Sequence, residues 1–207
     1  MNMKPNRTSD HTANRIKQAA REVFLMKGPD NSRSWEIANR AGVNPALINY
    51  YFRNKDKLYQ LVMLEELGGF LQTIVPIVSD RSTKFEKKIE LLVERYFVMA
   101  DKGPFLPLFI MNEMLKGHSG LKSQIKKQRT MLHRSEMAEQ LREAIKAGKY
   151  RNVGFSEVII NIIGLNIFPI IAAPAMKIMG GLTDEDYARM TLERRKRIYE
   201  WVLYMMK

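Results

Sequence analysis

The stretch GVNPALINYYFRNK, residues 42–55, concentrates side chains that can make specific polar contacts. An Asn side chain can pair with the edge of an adenine, and Tyr hydroxyls can donate hydrogen bonds to phosphate oxygens. Lys55 adds a cation close to Arg53 and Lys57. This combination on one short element favours contact with a nucleic acid duplex.

Two short helices must position this stretch. The run SWEIANRA predicts a helix that ends at Gly42, where a tight turn requires positive φ. Asn44 suits the N-cap of a second helix and Pro45 its first turn. Because Ile48 and Phe52 lie one turn apart and face the core with Val43, the opposite face becomes a candidate reading face. That face comprises Pro45, Ala46, Leu47, Asn49, Tyr50 and, at its edge, Tyr51.

Charge supports this interpretation without deciding it. The 207-residue chain has a formal net charge of +12, of which residues 1–60 contribute +6 through eleven basic and five acidic residues. A basic lobe attracts nucleic acid or an anionic membrane surface, and a merely solvated surface is the alternative. The chain contains no Cys, which excludes disulfides and Cys zinc sites, and its polar start is not a signal peptide. Both features favour the cytoplasm.

Helical periodicity runs through the chain and strand alternation does not. The pattern predicts an all-α fold of about nine helices. The first carries an apolar stripe and ends near Lys27 to Pro29. Element length and charge change near residue 55, which predicts a helix-turn-helix domain over residues 1–54 and a larger helical domain over 55–207.

The segment EIANRAGVNPALINYYFRNKDKLYQLV resembles the DNA-binding domain of the tetracycline-repressor (TetR) family of bacterial transcription regulators. The resemblance covers residues 12–64. Its motifs are Ile37-Ala38, Ala41-Gly42-Val43, Tyr50-Tyr51-Phe52 and Lys55-Asp56-Lys57-Leu58. Two positions depart from the family pattern: Asn49 stands where Tyr is common, and Tyr51 where His is common.

The resemblance implies a role for each matching position. Residues 44–51 other than Ile48 would face the operator, and Lys55 would hold a phosphate. Ser32, Arg33 and Ser34 fall where the family contacts the DNA backbone. The full implied DNA-binding set is Ser32, Arg33, Ser34, Asn44, Pro45, Ala46, Leu47, Asn49, Tyr50, Tyr51 and Lys55.

The run VIINIIGLNIFPIIAAPAM, residues 158–176, has nineteen residues without a charge. That length can span a bilayer, but two Asn and two Pro interrupt the run, so a buried helix without membrane contact is the better interpretation. The family resemblance implies a homodimer through helices at about 156–179 and 184–206. The second of these offers Tyr187, Met190, Tyr199, Trp201, Val202 and Tyr204. The basic run 194–197 is read as a solvated face, partly paired with Glu193 and Glu200.

Residues 99–137 are rich in Met and Phe. They form either ordinary core or the wall of an effector cavity, which adaptable side chains suit. Glu113 and His133 could orient a ligand there, although a paired or exposed role is equally open. The candidate cavity residues are Phe105, Phe109, Glu113, Met131, His133 and Met137.

The three His residues are too scattered for a metal site, and no cofactor is expected. The chain lacks a glycine-rich phosphate loop, HExxH and GxSxG, which argues against an enzyme. The hypothesis is therefore a dimeric regulator, a repressor, that binds a palindromic operator and is released by a small apolar or amphipathic effector. An architectural DNA binder without an effector is the alternative.

Overall fold

The computed structural model describes the backbone of residues 7–116 and 119–207, and the side chains of 10–116, 121–123 and 125–207. Over these residues the protein is all-helical, as predicted, with eleven helices. They are α1 (Arg7–Lys27), α2 (Ser34–Ala41), α3 (Ala46–Phe52), α4 (Lys55–Ser79), α5 (Phe85–Ala100), α6 (Phe105–Lys116), α7 (Ser119–His133), α8 (Glu136–Lys146), α9 (Phe155–Ile171), α10 (Ala173–Gly180) and α11 (Asp184–Tyr204).

Two helix breaks explain the difference from the predicted nine. Helical periodicity continues through residues 120–147 as if for one helix, but α7 stops at His133 and α8 begins at Glu136. Ser135 caps the new helix, because its side chain accepts a hydrogen bond from the backbone N–H of Ala138. The segment expected over 156–179 breaks at Ala172, and the axes of α9 and α10 differ by 70°. Pro174 in the first turn of α10 cannot continue the preceding ladder of hydrogen bonds.

The chain divides into two compact units, Met1–Gly69 and Phe70–Lys207. The first unit holds α1 to α3 and the beginning of α4. The second holds the rest of α4 and α5 to α11, so α4 belongs to both and the division lies inside it.

The first unit has a small core around the apolar stripe of α1. This stripe is buried as predicted, and α2, α3 and α4 contribute apolar side chains to the same unit. The buried residues are Ile16, Ala19, Ala20, Val23, Phe24, Ile37, Ala38, Ala41, Ile48, Leu58, Val62 and Met63. The rings of Phe24 and Tyr59 meet edge to face, with centroids 5.1 Å apart.

Ion pairs reinforce the contact between α1 and α4 in the first unit. Arg21 pairs with Glu65 at 3.0 Å and with Glu66 at 2.6 Å, while Lys17 pairs with Glu65 at 2.7 Å. Since these side chains are largely shielded from solvent, the pairs fix α4 against α1 more firmly than isolated surface pairs do.

The core of the second unit lies where α5 packs against α8, α9 and α11. Its buried residues include Phe85, Ile89, Met137, Val158 and Ile198, together with Ile74 and Val78 from the end of α4. The shorter helices lie at the edges: α6 packs against α7 and α9, and α10 packs against α9 and α11.

Length and composition alone would let α4 cross a membrane, and α9 with α10 passes the same criterion as a bent pair. Core helices of soluble proteins pass it as well, so this is weak evidence for a span. In α9 the buried Asn166 donates a hydrogen bond to the carbonyl of Ile162 at 2.7 Å.

Candidate nucleic-acid interface

The turn between α2 and α3 adopts the conformation that its glycine predicts. Gly42 has φ 64° and ψ 43°, in the left-handed region. The guanidinium of Arg15 on α1 donates hydrogen bonds to the carbonyls of Ala41 and Gly42, at 2.5 and 3.2 Å. A Cβ on Gly42 would lie 2.7 Å from Nη2 of Arg15. The position therefore needs glycine for its backbone conformation, and a Cβ there would also displace the flexible end of the Arg15 side chain.

The start of α3 also follows the prediction. Oδ1 of Asn44 accepts a hydrogen bond from the backbone N–H of Ala46 at 2.9 Å. Pro45 has helical dihedral angles, φ −53° and ψ −30°, as expected for the first turn. Because Oδ1 of Asn44 caps the helix, only its amide N–H groups are left for a duplex.

The predicted reading face of α3 is on the surface. Ile48 is fully buried, whereas Tyr50 is 77% exposed and Asn49 is exposed. The rings of Tyr50 and Tyr51 pack edge to face, with centroids 4.9 Å apart. Pro45 and Ala46 are exposed, and Leu47 and Tyr51 are half-buried. The face thus offers aromatic surface with polar tips, and its buried side holds the helix in place.

The loop before α2 corrects one predicted contact. Ser32 is 1% exposed, and its hydroxyl donates a hydrogen bond to the carbonyl of Gly28 at 2.5 Å. Its backbone N–H donates to the carbonyl of Pro29 at 3.3 Å. Since both donors are used inside the unit, the expectation that the Ser32 side chain meets the DNA backbone is wrong. Arg33 is exposed and Ser34 half-buried, so these two remain predictions.

Lys55 has a structural contact that the sequence did not indicate. Its ammonium donates hydrogen bonds to the carbonyls of Pro29 and Ser32, at 2.6 and 2.9 Å. An ammonium has three N–H donors, so one is left for a phosphate. The predicted phosphate contact stays a prediction, and the two carbonyl contacts tie the loop before α2 to the first turn of α4.

A strained turn connects α3 to α4. Arg53 has φ 68° and ψ −46°, and among the described non-glycine residues it alone has positive φ. The N–H of Asn54 donates to the carbonyl of Phe52 at 2.9 Å, which closes a γ-turn around Arg53. The side chain of Asn54 then caps α4 by accepting from the N–H of Lys57 at 2.8 Å. An arginine gives no sequence signal for such a conformation.

Trp35 was missed by the sequence reasoning. It follows Ser34 at the start of α2 and is 59% exposed. An exposed indole adds a hydrogen-bond donor and a large apolar surface close to Arg33 in the chain. An aromatic residue at the start of a predicted helix was the available signal.

The candidate effector residues are dispersed over α6, α7 and α8 of the second unit. Phe109 and Glu113 are buried along α6, and Phe105 is half-buried. Met137 is fully buried in the main core, with Met131 at its edge, so for these two the core interpretation fits the structure.

The two polar candidates have protein partners. Nε2 of His133 lies 3.0 Å from Oγ of Ser156, and its ring meets Phe155 edge to face. Glu113 lies 3.7 Å from the ammonium of Lys116. Among the described residues no group of three His, Cys, Asp or Glu could hold a metal ion, and His118 lies outside them.

The residues predicted to form the dimer face differ in exposure, and the dimer itself stays a prediction. Tyr187 and Val202 are buried within the protomer, and the Tyr187 hydroxyl donates to the carbonyl of Pro169 at 2.6 Å. Trp201 and Tyr199 are half-buried, whereas Met190 and Tyr204 are exposed. Other apolar residues on α9, α10 and α11 are also exposed: Ile160, Ile163, Phe168, Ile178, Met179 and Leu192.

The basic run 194–197 is less solvated than predicted. The guanidinium of Arg194 lies 5.0 Å from the ring centroid of Trp201 and donates to the carbonyl of Leu165 at 3.3 Å. Arg195 forms a two-pronged ion pair with Glu94 on α5, which the sequence reasoning did not name. Lys196 pairs with Glu193 at 2.7 Å, as expected.

The sequence of the first unit matches a known family. Residues 16–62 match the family of bacterial regulatory proteins described as the tetR family. This segment is similar to the DNA-binding domain of that family. It runs from the first core residue of α1 to the buried Val62 of α4, so it contains the whole motif described above. The predicted resemblance is thereby confirmed for this segment.

One curated relative is the fatty acid metabolism regulator protein of Bacillus subtilis (strain 168). It is 26% identical over 110 residues, which are 53% of this chain and 56% of that protein. The aligned region therefore spans little more than half of the relative's length.

Solved structures share the fold over nearly the whole chain. A TetR transcription regulator from Haloarcula marismortui ATCC 43049 has a TM-score of 0.62 at 18% identity, covering 96% of this chain and 100% of its own. The regulator FadR from Bacillus subtilis, in complex with stearoyl-CoA, has a TM-score of 0.57 at 19% identity, covering 90% and 97%. At these identities the likeness establishes the fold.

Proposed function

We propose that this protein is a transcriptional repressor that binds a palindromic DNA operator as a homodimer and is released by a fatty acyl effector. The observation that carries the proposal is the exposed polar-aromatic face of α3, held in place by buried Ile48 within a tetR-family domain. A short helix fixed in this way can enter the major groove and present side chains to base edges.

The DNA contacts divide into two kinds. Asn49 is suited to a bidentate contact with an adenine, which would carry base preference. The hydroxyl of Tyr50 and the remaining donor of Lys55 are suited to phosphates, which fix the position of the motif without reading sequence. Arg33, Arg53 and Lys57 are exposed nearby along the chain and add positive charge.

Dimerisation is supported by the exposed apolar side chains of α9, α10 and α11. Ile160, Ile178 and Met179 are 66%, 83% and 81% exposed in the protomer, which leaves them without an apolar environment. A second copy of the same face would cover them, and the two-fold symmetry of such a pair would place two α3 helices on a palindrome.

The effector class is inferred from relatives. The similar Bacillus subtilis protein is named for fatty acid metabolism, and a regulator of like fold has been solved with stearoyl-CoA. The second unit of this chain is rich in Met and Phe, which suits a long flexible chain. Because α4 begins directly after α3 and continues into the second unit, it is the element through which effector binding would change DNA affinity, by about 1–3 kcal/mol.

The proposal is tested by fluorescence anisotropy on the DNA upstream of the protein's own gene, with full-length protein. Wild type is expected to bind this DNA more tightly than a scrambled duplex, and dodecanoyl-CoA is expected to weaken the complex. The Tyr50→Ala variant should lose about tenfold in affinity, since it removes one groove contact. Met26→Ala removes a side chain that is 63% exposed on α1 and serves as the matched control.

Two results would contradict the proposal separately. Equal affinity of wild type and Tyr50→Ala for the upstream DNA would refute the reading role of α3. Tight specific binding that no acyl compound changes would refute the effector and leave a constitutive DNA binder.

Asn49→Ala should change base preference at one position per half-site by about 1–3 kcal/mol, measured with a panel of single-base variants.

A further inference from the structure

The charge distribution of α7 is unusual within this chain. Between Glu113 and Glu136 there are six Lys and Arg residues and no acidic residue. Like charges four residues apart destabilise a helix by about 0.2–0.5 kcal/mol per pair, and here no carboxylate on the same helix offsets them. A negatively charged partner would relieve this repulsion.

Three of these cations and one histidine form a stripe. Lys122, Lys126, Arg129 and His133 follow the spacing i, i+4, i+7 and i+11, which places them on one face of α7 over about 16 Å. All four are exposed. The opposite side faces the protein, since Met131 packs there against the core of the second unit. We call these four residues the α7 stripe.

Within the described residues, no carboxylate lies at ion-pair distance from Lys122, Lys126 or Arg129. This contrasts with the basic run of α11, where Arg195 and Lys196 each have a Glu partner. The charges of the α7 stripe are therefore open to an anion from solution.

Exposed apolar side chains lie on a helix next to α7. Both α6 and α8 pack against α7, and α6 exposes Met111, Met114 and Leu115, which are 52%, 40% and 84% accessible. The stripe ends at His133, whose ring contacts Ser156 and Phe155 at the start of α9. A cationic helix packed against a helix with exposed apolar side chains matches a ligand with an anionic head and a hydrocarbon tail.

We propose that the α7 stripe binds the phosphates of a coenzyme A thioester whose acyl chain lies against α6. This inference rests on the proposed function and narrows its effector class from acyl compounds to acyl-CoA. The head group of coenzyme A carries about four negative charges, because a phosphomonoester contributes about −1.5 to −2 and the diphosphate the rest. A free fatty acid has one carboxylate and could not use a stripe 16 Å long.

The experiment measures binding of dodecanoyl-CoA, dodecanoyl-3′-dephospho-CoA and dodecanoate to full-length protein by isothermal titration calorimetry, below their micelle concentrations. The test variant is Lys126→Gln with Arg129→Gln. The control variant is Arg95→Gln with Lys146→Gln, which removes two exposed charges from α5 and α8. Circular dichroism checks that both variants fold.

The stripe variant is expected to bind dodecanoyl-CoA about tenfold more weakly, and dodecanoate with unchanged affinity, while the control variant behaves as wild type. The dephospho compound should bind wild type more weakly than dodecanoyl-CoA does. The affinity of wild type for dodecanoyl-CoA should also fall with added salt more steeply than that of the stripe variant.

Other outcomes overturn the inference, and they are distinguishable. If both variants bind dodecanoyl-CoA as wild type does, the stripe does not recognise it and the proposed effector class survives. If wild type binds none of the three compounds, the effector part of the proposed function fails. If the stripe variant instead loses affinity only for operator DNA, or only for vesicles containing anionic phospholipid, the partner of the stripe is that polyanion.

Discussion

The two units of this protein expose different kinds of apolar surface. On α3 of the first unit, a helix of seven residues, the exposed side chains end in polar groups, as in Tyr50 and Asn49. In the second unit it consists mainly of hydrocarbon, as in Ile160, Ile178 and Met179 on longer chain segments. Side chains with an apolar body and a polar tip suit a hydrated DNA groove, and hydrocarbon side chains suit the water-excluded core of a protein interface. The type of exposed side chain therefore indicates which kind of partner each unit meets.

The largest expected effect concerns the exposed apolar surface of α9, α10 and α11. Gly164 on α9 is exposed, and no atom lies within 4 Å of a Cβ at this position in the protomer. We expect Gly164→Glu to leave the protomer folded and to weaken the dimer by about 3 kcal/mol, because a dimer interface would bury an unpaired carboxylate. Analytical ultracentrifugation measures this. A dimer unaffected by the substitution would place the interface elsewhere, and Gly164→Ala is the matched control.

The next effect concerns the turn that fixes the reading face. Gly42→Val should destabilise the first unit by about 2 kcal/mol, since a β-branched residue is strained at positive φ and its Cβ would collide with Arg15. Urea denaturation of the full chain, followed by Trp35 fluorescence in a Trp201→Phe background, reports the change. Unchanged stability would mean that the motif tolerates a different turn and is less rigid than described.

Acid should destabilise the second unit by protonating Glu86. Burial alone would raise the pKa of Glu86, but hydrogen bonds from Lys149 and Tyr150 outweigh it and lower the pKa to about 2. A carboxyl whose pKa is lowered in the folded state stabilises the fold at pH values above its ordinary pKa of 4.5. This contribution is lost as the pH falls towards 2. We expect Glu86→Gln to flatten the pH dependence of thermal stability in this range. An identical slope in the variant would assign the dependence to other groups.

The smallest expected effect is a stabilisation of α4. Gly69 lies inside this helix at the division between the units, and nothing lies within 4 Å of a Cβ there. Gly69→Ala should raise the free energy of unfolding by about 0.5–1 kcal/mol through helix propensity. Differential scanning calorimetry measures it. A loss of stability would show that the glycine is needed for a bend.

The sequence predicted the helix-turn-helix well because its constraints are local. Gly42, Asn44 and Pro45 each serve a backbone requirement within a few residues, and the structure confirms all three. The capping role of Thr183 in α11 was readable for the same reason, and it forms a capping box with Asp186.

The sequence did not predict contacts between segments that are distant along the chain. The burial of Ser32 and the bonds of Lys55 depend on how the loop before α2 meets α4, which no periodicity reveals. The positive φ of Arg53 has no compositional signal. The break at Ser135 was readable in hindsight, since a Ser followed by acidic residues in the first turn is a cap pattern.

In the second unit, helical periodicity shows which residues are apolar but not which neighbour covers them. Tyr187 and Val202 were assigned to a partner, yet α9 and the protomer core cover them. The exposed Ile178 and Met179 depend on the 70° bend at Ala172, which turns α10 away from the line of α9. The location of the protein in the cytoplasm remains a prediction.

The two hydrogen bonds from Lys55 to the carbonyls of Pro29 and Ser32 couple the positions of three helices. They hold the loop before α2 against the first turn of α4, and the turn at Arg53 connects α3 to that same turn of α4. A displacement of the first turn of α4 would therefore carry α2 and α3 with it as one body, and the conformation of the helix-turn-helix would be preserved.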